Sequence, residues 1–167
     1  MNNMNSSQKV ILFLCIVVAG LIALYEYKKY RVAPTIDLFK QELYNENNEA
    51  VYFELYKGKK LIVCYYASWC GECLKEMEML NKIKTTALND VDVIAITDEE
   101  VDKLIRFKNK KNYPFTFLRM KDPFSKINIY TIPVTYIISR KGELVYEKTG
   151  AINWKDASFV AHVKSLM

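Results

Sequence analysis

Residues 61–80 read LIVCYYASWCGECLKEMEML, and the change of pattern inside this stretch decides the fold. Leu61 to Tyr66 is a continuous apolar run, rich in β-branched and aromatic residues, of a length suited to a strand buried on both faces. From Cys70 onward the apolar positions fall at Leu74, Met77, Leu80 and Ile83, the period of a helix. Between the two lies Trp69-Cys70-Gly71-Glu72-Cys73, so a Cys-x-x-Cys pair sits where a buried strand hands over to a helix.

That position has a chemical use. Helix-terminal N–H groups stabilise a thiolate, so Cys70 is expected to have a lowered pKa and to act as the attacking nucleophile. Cys73, one turn further in, is placed to resolve a mixed disulfide. Inert core cysteines and half of a zinc site are the competing readings of a lone Cys-x-x-Cys. Zinc needs more ligands than this pair. The other cysteines, Cys15 and Cys64, fall in an apolar N-terminal run and in mid-strand, and the one histidine, His162, lies near the C-terminus. No metal site is expected.

Working outward, Val91 to Ile96 reads as a second buried strand and closes a βαβ unit. Asp98-Glu99-Glu100 opens a helix carrying Val101, Leu104, Ile105 and Phe107, which ends in the cations Lys108, Lys110 and Lys111 and is stopped by Pro114. Phe115 to Met120 is a short strand. Thr131-Ile132-Pro133 leads into another from Val134 to Ser139, and after the turn at Arg140-Lys141-Gly142 the segment Leu144 to Lys148 returns antiparallel. Asn153 is expected to cap a final helix bearing Ala157, Val160, Ala161 and Val163.

On the N-terminal side, Lys57-Gly58-Lys59-Lys60 marks a turn after the loosely alternating Val51 to Tyr56. Before it, Ile36, Phe39, Leu43 and Tyr44 suit a short amphipathic helix fading at Asn45-Glu46-Asn47-Asn48. Val10 to Tyr25 carries no charge and, at about 1.5 Å per residue, covers most of a ~30 Å hydrocarbon layer. Tyr25, Tyr27, Tyr30, Lys28, Lys29 and Arg31 follow it as interfacial aromatics and cations. The expected organisation is a tail over 1–9, a transmembrane signal-anchor over 10–27 in contact with the lipid bilayer, a tether and short helix over 28–48, and one domain over 49–167. A cleaved signal peptide, a lipoprotein signal ending at Cys15 and a buried soluble helix are weaker readings of the same run.

The 167 residues, 51% of them hydrophobic, supply a core, so disorder is excluded, and four cysteines exclude a multi-disulfide scaffold. The net charge of +5 is spread among acidic residues, with no basic stripe, so nucleic acid is not an expected partner.

Ala67-Ser68-Trp69-Cys70-Gly71-Glu72-Cys73, the later Thr131-Ile132-Pro133 and the closing hairpin and helix together resemble the thioredoxin superfamily over roughly residues 50–167. With the anchor added, the chain is most similar to the TlpA-like thiol-disulfide oxidoreductases of bacteria. The resemblance implies an α/β thioredoxin fold, a central mixed β-sheet flanked by helices, preceded by one transmembrane helix. It implies a cis bond at Ile132-Pro133 that sets Ile132 beside the cysteines to bind a substrate strand, with Trp69 flanking the nucleophile. A strand-entry proline and a core tryptophan are the plain alternatives. It further implies a single-pass membrane protein whose domain faces the extracytoplasmic (periplasmic) side. The cations after the apolar run outnumber those before it and favour the opposite orientation. Implied partners are protein thiols and disulfides and a membrane electron donor, with no cofactor beyond the Cys70-Cys73 disulfide itself.

Two departures stand out. Glu72 occupies a position where thioredoxins often carry proline. Its charge is expected to disfavour the Cys70 thiolate, moving the potential by on the order of tens of millivolts. Cys64 stands where thioredoxin keeps a buried aspartate. Cys64 reads either as an apolar core residue or as a third exchanging thiol, and Asp98 or Glu99 is the substitute carboxylate, unless both merely cap a helix. Thiol peroxidase, metal carrier and membrane adaptor are the other functions of such a chain. The first normally has a Pro-x-x-x-Thr-x-x-Cys setting that this sequence lacks.

Overall fold

The computed structural model describes residues 5–167; residues 1–4, the start of the expected tail, and the side chains of Arg31 and Phe39 fall outside it. Helix α1 (Ser6–Arg31) starts at a capping box in which the Asn5 side chain accepts from the Gln8 N–H and Gln8 accepts from that of Asn5. Its stretch Ser6–Tyr30 is long and apolar enough to cross a membrane, and its apolar side chains from Val10 to Leu24 stand exposed. The helix therefore begins earlier and ends later than the predicted span 10–27.

A seven-stranded sheet follows in the order β2-β1-β5-β4-β3-β6-β7. Its centre is β3 (Lys60–Tyr65), parallel to β4 (Val91–Thr97), which is parallel to β5 (Thr116–Met120). On the other side β6 (Val134–Ile138) runs antiparallel to β3, and β7 (Leu144–Thr149) antiparallel to β6. Gly142, at φ 82°, supplies the left-handed residue of the turn between them. Crossover helices α2 (Gly71–Lys84) and α3 (Val101–Lys111) link successive parallel strands in one direction, so right-handed crossovers put both on the same face.

The alternation of β3 divides the interior in two. Ile62 and Cys64 face a core completed by Met77 and Leu80 of α2, Leu104 and Phe107 of α3, and Val160 and Val163 of α4 (Ala157–Leu166). Leu61, Val63 and Tyr65 face a second core closed by Ala33, Leu38, Phe53, Phe124 and Ile129, drawn from connecting segments. All three packed helices thus serve one face of the sheet.

Two local expectations are corrected. The predicted amphipathic helix over 36–44 is a single 3-10 turn, Leu38–Lys40, followed by β1 (Leu43–Tyr44), which pairs antiparallel with β5 and with β2 (Ala50–Val51). Sheet pairing overrides the local period there, and the sheet begins inside the segment read as tether. Within the loosely alternating Val51 to Tyr56, residues 53–56 form another 3-10 turn. Helix α4 is capped by Asp156, whose carboxylate accepts from the Ser158 and Phe159 N–H groups, while Asn153 accepts from Lys155 one turn earlier.

Candidate functional site

β3 ends at Tyr65, Tyr66 N–H still reaches the Ile96 carbonyl of β4, and a turn closed by Cys70 N–H on the Ala67 carbonyl delivers Cys70 to the start of α2. Cys70 is the N-cap: its backbone is extended, its carbonyl accepts from Leu74, and its Sγ accepts from the Cys73 N–H at 3.2 Å. Sulfur thus takes the place of the capping oxygen and meets the positive end of the helix. Cys70 and Cys73 are joined as a disulfide with Cα atoms 5.3 Å apart. Cys70 keeps 8% exposure and Cys73 none, so only the first sulfur is open to an incoming group.

Gly71 has open space where a Cβ would stand, so the fold does not require glycine at this position. Glu72 is exposed and pairs with Lys75 at 2.7 Å, which offsets the charge it brings near Cys70. The Ile132-Pro133 peptide is cis, and the Ile132 carbonyl lies 4.0 Å from Cys70 Sγ. Pro133 is fixed by its carbonyl accepting from Gly150 N–H at 2.8 Å, immediately before β6 begins. Trp69 is 73% exposed, which rules out the core reading; the core tryptophan is Trp154. Trp69, Ile132, Tyr130 and Phe124 line a groove of about 300 Å³ beside the disulfide.

Neither Asp98 nor Glu99 caps α3, whose N-cap is Glu100 without a side-chain bond. Asp98 accepts from the Phe124 N–H at 3.0 Å and lines the groove, tying the end of β4 to the loop after β5. Glu99 is buried and accepts from both the N–H and the hydroxyl of Ser68, at 2.5 and 2.9 Å, with Lys103 at 3.6 Å. A carboxylate from the segment after β4, at the same end of the sheet, therefore holds the loop that presents Trp69 and Cys70.

The buried acid next to the pair comes from another place, α2 itself. Glu76 is 1% exposed, one turn beyond Cys73, and accepts from Thr135 Oγ1 at 2.8 Å and Trp154 Nε1 at 3.3 Å. Burial pushes its carboxyl above the ordinary range; the bonds from Thr135, the Ile152 backbone and Trp154 only partly offset that. The signal was in the sequence: Glu76 falls between Cys73 and Met77, Leu80 on the apolar face of the helix, where a charge is out of place. Cys64 completes this cluster, its Sγ lying 3.7 Å from Thr135 Oγ1. Burial and then the Glu76 charge push its thiol far above the usual range, so it stays protonated.

The chain matches the AhpC/TSA family over residues 31–147. Among curated proteins it is 28% identical over 105 residues to the thioredoxin-like protein YneN of Bacillus subtilis, covering 60% of this chain and 62% of that one. It is 31% identical over 135 residues to the thiol:disulfide interchange protein DsbE of Tatumella citrea, covering 75% and 70%. The chain spans only 52% to 62% of the length of several such relatives. Among solved structures, a secreted Mycobacterium tuberculosis disulfide oxidoreductase superposes with a TM-score of 0.61 at 18% identity, over 78% of this chain and 99% of that one, which shows the shared fold.

Proposed function

This chain belongs to the AhpC/TSA family, and on that premise we propose that it is a membrane-anchored thiol-disulfide oxidoreductase in which Cys70 is the nucleophile and Cys73 the resolving thiol. The observation that carries this reading is the difference between two linked sulfurs. One caps a helix and is open beside the Ile132 carbonyl; the other is sealed behind it.

Starting from the reduced pair, Cys70 thiolate attacks one sulfur of a substrate disulfide, forming a mixed disulfide and expelling the other substrate sulfur as a thiolate that takes up a proton. Cys73 then loses its proton and attacks Cys70 Sγ. The substrate's second thiol leaves, and the pair ends as the disulfide seen here. Two electrons and two protons pass to the substrate. Glu76 is the acceptor we assign for the Cys73 proton, because burial makes its carboxylate more basic than usual and it stands one turn away on the same helix. Glu99 acts as a positioning residue through Ser68. The redox group is the pair itself.

The Ile132 carbonyl beside Cys70, the cis-Pro133 bend and the exposed Trp69 suit an incoming protein strand. We therefore read the substrates as protein disulfides, reduced on the extracytoplasmic side with electrons from a membrane donor. Residues 10–27 lie in the bilayer. The relatives named for thiol:disulfide interchange support the chemistry, and the apolar α1 supports the anchor. The peroxidase reading has less support: Val63 and Ala67 stand where that setting carries proline and threonine. A Cys73→Ser variant expressed in cells should accumulate mixed disulfides on Cys70 with protein partners of one compartment. Recovery of no adducts would sink the exchange reading, and purely cytosolic adducts would reverse the orientation.

A further inference from the structure

The start of the segment read from sequence as a tether and short helix has no slack. Helix α1 ends at Arg31, Val32 closes it, and the next residue, Ala33, is already buried in the second core. The Pro34 carbonyl accepts from the Tyr136 hydroxyl of β6 at 2.6 Å. The end of the helix also touches the domain directly. Tyr30 meets Tyr130 edge to face at 6.1 Å, and Lys29 Nζ stands 4.7 Å from the centre of the Tyr130 ring. Tyr25 and Lys28 line a groove of about 350 Å³ together with Asn128 and Tyr130, so the loop over 128–130 reaches down to the level at which the apolar run ends.

Tyr130 belongs to two grooves. On one side it faces the helix exit, and on the other it lines the site groove with Trp69 and Ile132. The surface running from Tyr27, Lys28 and Lys29 through Tyr130 to Trp69 is continuous with the spanning helix. It has the composition of a membrane interface: half-exposed tyrosines, an exposed tryptophan and cations.

We propose that this surface rests on the lipid headgroup layer, anionic phosphates facing Lys28 and Lys29, and that the packed junction at 32–34 holds the Cys70 groove there. The proposal rests on the membrane-anchor reading and deepens the exchange reading: the site works on disulfides presented at the bilayer surface and is withheld from those far above it.

The full chain in vesicles of phosphatidylcholine and phosphatidylglycerol carrying a headgroup-level nitroxide lipid provides the test. Trp154 is fully buried, so quenching reports Trp69. Quenching of Trp69 by about twofold or more is expected. An insert of about twelve Gly and Ser residues between Val32 and Ala33, with a reach of roughly 20 Å, should largely abolish it. Lys28→Glu with Lys29→Glu should weaken it without touching the linker. Absence of quenching in the full chain, or equal quenching in all three proteins, overturns the proposal. Exchange with a soluble peptide disulfide is measured in parallel and should proceed equally in the full chain and the insert form. If neither form exchanges, the oxidoreductase reading fails while the quenching still decides the membrane contact.

Discussion

Thr135 Oγ1 donates to Glu76 Oε1 at 2.8 Å, so the strand that begins just after Pro133 holds the carboxylate one turn beyond Cys73. The same hydroxyl lies 3.7 Å from Cys64 Sγ, its cross-strand neighbour on β3, so the three groups meet on the helix-covered face of the sheet.

Glu76→Gln should change the pH dependence of stability. The folded-state pKa of Glu76 is raised, so between the ordinary carboxylate value and the raised one the folded protein binds more protons than the unfolded chain. Stability therefore falls as pH rises through that window. Urea unfolding at a series of pH values should show a flatter decline in the variant, and resolution of the mixed disulfide should slow by at least about tenfold. Identical slopes and rates in the two proteins would remove Glu76 from the proton path.

Glu99→Ala leaves the partly buried Ser68 N–H and hydroxyl without their acceptor. The expected cost is about 1–3 kcal/mol, seen as a lowered unfolding midpoint. The Trp69 loop should also become mobile, with reduced fluorescence anisotropy and slower exchange, and Glu99→Gln, which keeps one acceptor oxygen, should fall between. Full activity in the alanine variant would show that the clamp is not needed.

Iodoacetamide added to the reduced native protein should label Cys70 rapidly and leave Cys64 untouched, as read by peptide mass spectrometry. Cys64 is 3% exposed and held protonated by burial and by the nearby Glu76 charge. Labelling of Cys64 at a rate near that of Cys70 would instead favour a third exchanging thiol.

Trp69→Ala should leave stability within about 0.5 kcal/mol of the parent, because the side chain is mostly in solvent. Reduction of the pair by dithiothreitol should keep its rate, while exchange with a folded protein substrate slows. An unchanged protein-exchange rate would show that Trp69 takes no part in docking.

What the sequence alone determined is whatever is local. The apolar run before Cys70, the helical period after it and the Cys-x-x-Cys spacing specify a strand, a turn and a helix whose geometry is set within a few residues. The apolar α1 is legible for the same reason, since length and composition suffice. The misplaced charge of Glu76 on the apolar face of α2 and the acid at Glu99 are visible in the sequence, but what they bind was decided only by tertiary structure: their partners, Thr135 and Ser68, lie 59 and 31 residues away, and no local period reports such a bond. The short strand at Leu43–Tyr44, read as helix, exists because β5 offers it an edge. The packed junction at Ala33 and Pro34, read as tether, likewise depends on β6 and on the core beneath it. Hydrogen bonds and burial across the sheet outweigh the preferences of two or three residues, so contacts of this kind become visible only once the chain has closed on itself.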